Sequence, residues 1–233
     1  MNAYVNHALD GLTGRCRALG KSYRALLSMA AIMVLVSIIA FALRPAALAD
    51  LSEGHHLRRA NFYALWDKGE VVVLMRHAER CDHSTSPCLA QSDGITARGR
   101  HVAEQLGRRF QALGLNQATL YNSPLRRTEQ TSNYAFNRTT AGQDWLINCR
   151  KSMLDDVLRH KLDGHNLILV THSECISQLE KSLHVPAPVS LDYAASLIVS
   201  VDPDDHSARV LGFIDARDWR TVLAQRPLPQ AQR

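Results

Sequence analysis

Two stretches of this chain, EVVVLM (residues 70–75) and NLILVT (166–171), are apolar without the alternation of a half-exposed strand. A strand apolar at nearly every position must be covered on both faces, which is the situation of a sheet layered between helices. The intervals between such stretches carry helical spacing. After Thr96, a residue suited to cap a helix, Val102, Leu106, Phe110 and Leu113 recur every three or four positions. ATLYNS (118–123) reads as a further strand, with Pro124 suited to the first turn of the helix after it. SECISQLEKSL reads as a helix, as do residues 58–68, with Phe62, Leu65 and Trp66 on one side. SLIVSVD and ARVLGFID form a hairpin turning at Asp202, Pro203, Asp204 and Asp205. Strands alternating with helices predict an α/β fold: a single three-layer domain, with a mainly parallel central sheet and helices on both faces.

The net charge of +5 invites a nucleic-acid reading, but its distribution argues against one. Residues 1–49 hold Arg15, Arg17, Lys21, Arg24 and Arg44 against Asp10 alone, so the remaining chain is close to neutral. No nucleic-acid partner is expected. The basic segment 1–25 precedes an uncharged apolar run, residues 26–43. Basic residues ahead of such a run keep the N-terminus cytoplasmic. Eighteen residues is near the lower limit of about 17–25 for a spanning helix. Ala47, Leu48 and Ala49 have the small-x-small form of a signal-peptidase site. Two readings stand: a cleaved signal peptide, or an anchor that holds the protein in the inner membrane through residues 26–43. A buried core helix is the third. The first two export residues 50–233 to the periplasmic side.

Cys81, Cys88, Cys149 and Cys175 all lie in the exported part, and Cys16 on the other side of the leader. Four thiols in an oxidising compartment suggest two disulfides with three possible connectivities. The short loop that Cys81 and Cys88 would close favours 81–88 with 149–175. Free buried cysteines are the other reading, and a zinc site lacks the usual ligand spacing.

The strand ends carry the chemistry. Arg76 and His77 follow the first apolar strand, Ser123 to Arg127 follow the second, and His172 follows the third. In open α/β sheets, ligands bind beyond the carboxyl ends of the strands. Guanidinium groups grip phosphate through paired planar hydrogen bonds. Positive charge beside a histidine disfavours its protonated form, and a neutral imidazole in line with phosphorus is a nucleophile. A second histidine can donate to the phosphate oxygens as charge builds.

LMRHAER resembles the Arg-His-Gly signature of the histidine phosphatase superfamily, with Ala78 in place of the usual glycine. YNSPLRRTEQTS resembles the family's Ser-Pro-Leu-x-Arg-x-x-Gln-Thr segment, and ILVTHSECI its second histidine motif. The resemblance implies a phosphohistidine on His77, with Arg76, Arg127 and His172 holding the phosphate. Arg127 rather than its neighbour Arg126 falls on the family's arginine position. A narrower resemblance runs through Glu79, Arg80, Cys81, Asp82, Ser84, Thr85, Cys88, Gly94, Ile95 and Thr96. That pattern is similar to the lipopolysaccharide core heptose(II)-phosphate phosphatases of Gram-negative bacteria, and implies a glycolipid sugar phosphate as substrate.

The acid that protonates the leaving oxygen is open between Glu174 and Asp155, with Asp156 beside the latter. Glu79 is expected to orient Arg80 or a backbone donor. No cofactor and no metal are expected. The alternatives are a periplasmic phosphatase of other sugar phosphates or phosphoproteins, and an inactive phosphate-binding envelope protein.

Overall fold

The computed structural model describes residues 23, 28–39, 41, 47–137 and 142–227. The chain divides into two units, residues 1–46 and 47–233. In the first, residues 28–39 are helical, with Met33, Val34 and Leu35 exposed. Among the described residues no helix is long and apolar enough to cross a membrane. The basic segment 1–25, apart from Tyr23, and parts of the 26–43 run lie outside the described residues.

The second unit runs α1 (His56–Arg59), α2 (Phe62–Asp67), β1 (Val71–Arg76), α3 (Ala97–Leu113), β2 (Ala118–Asn122), α4 (Arg126–Phe136), α5 (Met153–His160), β3 (Asn166–Thr171), α6 (Ser173–Ser182), β4 (Ser196–Val201), β5 (Ala208–Ile214) and α7 (Trp219–Ala224). The strand order is β2-β3-β1-β4-β5. β2, β3 and β1 are parallel, whereas β4 lies antiparallel to β1 and β5 antiparallel to β4. The expected mainly parallel sheet is therefore corrected to a mixed one. All six residues of β4 are buried, as in β3, and a strand buried on both faces has the same composition whichever way it runs.

The period-two geometry of β1 divides the core. Val71, Val73 and Met75 join Ile168 and Val170 on the face covered by α1, α2, α3, α4 and α7. Val72 and Leu74 join Leu167 and Leu169 on the other face, against Met153 and Val157 of α5 and Ile176 and Leu179 of α6. Helices thus cover both faces, as expected.

Local signals mostly mark the ends of elements correctly. Thr96 caps α3, its side chain accepting the Gly99 N–H at 2.9 Å. Pro124 instead precedes the helix it was expected to open, since α4 begins at Arg126 with Leu125 as its cap. The helix expected over 58–68 is broken in two at Asn61, which adopts a left-handed φ of 54°. Such a residue ends one helix and re-aims the chain. Gly107 of α3 meets α4 so closely that a Cβ there would lie 1.8 Å from the Ala135 carbonyl oxygen. That contact presses α4, which carries two candidate arginines, against the helix that opens below the first strand's loop.

Candidate active site

The parallel register brings three strand ends level. Arg76 pairs with Thr171, and Asn122 with Val170. The ladder continues one residue beyond each strand: His77 N donates to Thr171 O at 2.9 Å, and Ser123 N to Val170 O at 3.0 Å. His77, Ser123 and His172 therefore emerge side by side, all buried.

His77 Nδ1 lies 2.8 Å from the Ala78 carbonyl oxygen. A carbonyl only accepts, so Nδ1 carries the proton and Nε2 keeps its lone pair. Burial pushes the His77 pKa down to about 3, and the positive charges of Arg127 and Arg76 push the same way. The imidazole is neutral at ordinary pH. Its backbone turn is held by Thr131 of α4, whose Oγ1 accepts the Ala78 N–H at 2.9 Å while donating to Arg127 O at 2.6 Å.

His172 caps α6 and its Nε2 lies 2.8 Å from Ser123 Oγ. Its Nδ1 is buried with no protein partner. Burial, then the charge of Arg127, lowers its pKa to about 4, against a smaller opposing pull from Glu174.

The guanidinium of Arg76 donates from Nη1 to Leu191 O at 2.6 Å and lies over the Tyr193 ring, 4.2 Å from its centroid. Its Nε is buried and unpartnered, as is the Nε of Arg127. Buried donors without partners are uncommon and mark a strained or ligand-binding position. Here two cationic donors and His172 Nδ1 share that condition around one histidine. They can grip a tetrahedral oxyanion.

Arg127, His172 and Glu174 line a groove of ≈ 780 Å³ together with Leu125, Ile147 and Gln178. Arg126 is turned away: it is exposed and pairs with Asp93 and Gln91. Glu174 lies near Arg127 and His172, and its carboxyl is held below the usual range by its own backbone N–H, then by Ser173, His172 and Arg127. Asp155 is exposed on α5 and is absent from the groove's lining. Its neighbour Asp156 pairs with Arg159 at 2.8 Å. Glu79 does not orient Arg80. It binds Arg98 and the Thr96 hydroxyl, and that pairing with Arg98 lowers its pKa to about 2. Arg80 pairs with Asp82 instead.

Cys81 is joined to Cys88 and Cys149 to Cys175, with Cα–Cα separations of 5.3 and 5.5 Å, both ordinary for a disulfide. The second bond ties the groove's rim to the first turn of α6. Sequence reasoning missed Tyr193, which lies 5.6 Å from the His77 ring in the stretch before β4. That stretch has no periodicity to flag it. Thr131 was within reach, since it lies inside the matched YNSPLRRTEQTS segment.

Residues 72–144 match the model of the histidine phosphatase superfamily (branch 1). Among curated relatives, the lipopolysaccharide core heptose(II)-phosphate phosphatase of Escherichia coli O139:H28 (strain E24377A / ETEC) is 33% identical over 135 residues, covering 57% of this chain and 66% of that protein. The protein of the same name from Shigella sonnei (strain Ss046) gives the same values. The match thus spans just under two thirds of those relatives' length. A phosphoglycerate mutase structure from Bacillus anthracis str. Sterne is similar at 15% identity and a TM-score of 0.46, covering 67% of this chain and 98% of that one.

Proposed function

We propose that this chain is a phosphomonoesterase that works through a phosphohistidine on His77. The observation that carries the reading is the Nδ1–H bond from His77 to the Ala78 carbonyl, which leaves Nε2 as a buried, neutral lone pair among unpartnered cationic donors. In the first step the Nε2 lone pair forms a bond to phosphorus as the bond from phosphorus to the leaving oxygen breaks. The Ala78 carbonyl stabilises the positive charge that develops on the ring. Arg76, Arg127 and His172 hold the phosphate oxygens, with His172 donating from Nδ1 while Nε2 accepts the Ser123 hydroxyl. Water then attacks phosphorus, releasing inorganic phosphate and restoring neutral His77.

Glu174 is the proposed proton donor, because it shares the groove with His172 and Arg127 and Asp155 does not. It is ionised at rest. An arriving phosphate monoanion, with a second pKa of about 6, supplies the proton. Its charge raises the carboxyl's affinity for that proton. Glu174 then passes it to the leaving oxygen.

The proposed substrate is an envelope sugar phosphate, and specifically a lipopolysaccharide core heptose phosphate, met on the periplasmic side. The relatives' names and the basic, apolar leader support this. The test is hydrolysis of core heptose phosphate, simple sugar phosphates, phosphopeptides and an aryl phosphate by the full chain, with rapid acid-free quenching to trap phosphate on His77. Turnover with no phosphohistidine, or turnover by a folded His77→Ala chain within a few-fold of wild type, overturns the mechanism.

A further inference from the structure

The groove is larger than its phosphate end requires. Bulk water takes about 30 Å³ per molecule, so ≈ 780 Å³ holds far more than one phosphate group. Besides Arg127 and His172 the lining includes Ser177, Gln178 and Arg150. Ser177 and Gln178 stand one turn beyond Ser173 and Glu174, so α6 presents one polar face along the groove. These groups suit hydroxyls. Arg150 suits something else.

Arg150 is exposed, and its neighbours constrain the backbone on either side of it. Cys149, immediately before it, is buried and bonded to Cys175 of α6. Lys151, immediately after it, adopts a left-handed φ of 69°, uncommon for a residue with a side chain. The three arginines flanking the site on its other sides, Arg80, Arg98 and Arg126, are each neutralised by Asp82, Glu79 and Asp93. Among the described residues Arg150 has no carboxylate within ion-pair distance. Glu174, the one acidic residue in the groove's lining, is influenced by Arg127 and His172. With a phosphate on Arg76 and Arg127, one cation in the groove's lining stays uncompensated.

We infer that Arg150 is the centre of a second oxyanion site, and that the substrate is a phosphorylated polyol bearing a further carboxylate or phosphate. The inference rests on the phosphate-pocket reading above. Such a ligand would set its phosphate at Arg127 and His172 and its second anion at Arg150, with Ser177 and Gln178 available to its hydroxyls. The planar fork of arginine favours an oxyanion over a neutral hydroxyl through charge-assisted pairs.

The test is equilibrium binding by calorimetry to the full chain carrying His77→Ala, which prevents turnover. The probes are glucitol 6-phosphate, 6-phosphogluconate and glucitol 1,6-bisphosphate: one neutral tail, one carboxylate and one second phosphate. At least one acidic probe should bind about tenfold more tightly than glucitol 6-phosphate, and the tighter of the two names the group. Adding Arg150→Ala should abolish that preference, Arg150→Glu should reverse it, and Arg126→Ala should preserve it. Equal affinities for all three probes, or a preference that survives Arg150→Ala, overturns the second site. A wild-type chain that hydrolyses no phosphate ester, with the Arg150-dependent preference intact, overturns the phosphatase reading and leaves the second site standing.

Discussion

The ring of His172 stands edge-on to that of His77, with centroids 5.4 Å apart and planes inclined by 60°. Two imidazoles this close cannot both be protonated without mutual repulsion, which adds to the burial that already keeps each neutral. The pair can therefore divide its labour, one ring presenting a lone pair and the other a donor.

The first prediction concerns pH. With His77 at about 3 and His172 at about 4, the acid limb of kcat/KM should fall near or below pH 4 rather than near 6.5. Stability has the same sign. Each depressed histidine binds more protons unfolded than folded, so its contribution is complete above about pH 6.5 and is lost as pH falls toward the folded values. Each such group costs up to about 1.4 kcal/mol per pH unit within that window. Urea unfolding at pH 7 and pH 5 should show a smaller acid loss in His77→Asn than in wild type. An acid limb in kcat/KM at 6.5 would reject the buried neutral pair.

The second separates the two candidate acids. Glu174→Gln should lower kcat by about 10²-fold for a sugar phosphate, whose alkoxide needs a proton. It should lower it much less for an aryl phosphate. Asp155→Asn should stay within twofold on both. The reverse ranking in steady-state kinetics would move the acid to Asp155.

The third concerns metals. In the proposed mechanism arginine and histidine supply the charge at this site, and a metal on His77 Nε2 would consume the lone pair proposed to attack phosphorus. Excess EDTA should leave the rate unchanged, and vanadate should inhibit competitively. Loss of turnover on chelation, restored by Mg²⁺ or Zn²⁺, would replace the phosphohistidine route.

The fourth concerns packing. A methyl group at Gly107 would lie 1.8 Å from the Ala135 carbonyl oxygen, so Gly107→Ala must push α3 from α4. The gain in helix propensity of about 1 kcal/mol cannot offset this; an overpacking cost of about 1–3 kcal/mol or more should lower Tm by several degrees. Activity should fall as well, because α4 carries Arg127 and Thr131. A Tm equal to or above wild type would show that the helices move apart freely.

What the sequence determined by itself is the local part. The unbroken apolar runs of β1 and β3 required a covered sheet, the spacing from Val102 to Leu113 required a helix, and Thr96 had to cap it. The histidines were legible because each directly follows such a strand. The tertiary structure decided what depends on distant partners. It ran β4 against β1 rather than along it, a choice that burial patterns do not encode. It lined the groove with Arg127 and turned Arg126 toward Asp93 and Gln91, since consecutive helical residues point about 100° apart. It brought Tyr193 over Arg76 and set Glu79 against Arg98. It also joined Cys149, the residue before Arg150, to Cys175 of α6. Such contacts join segments tens of residues apart, and their energies act between side chains whose separation only the folded topology sets.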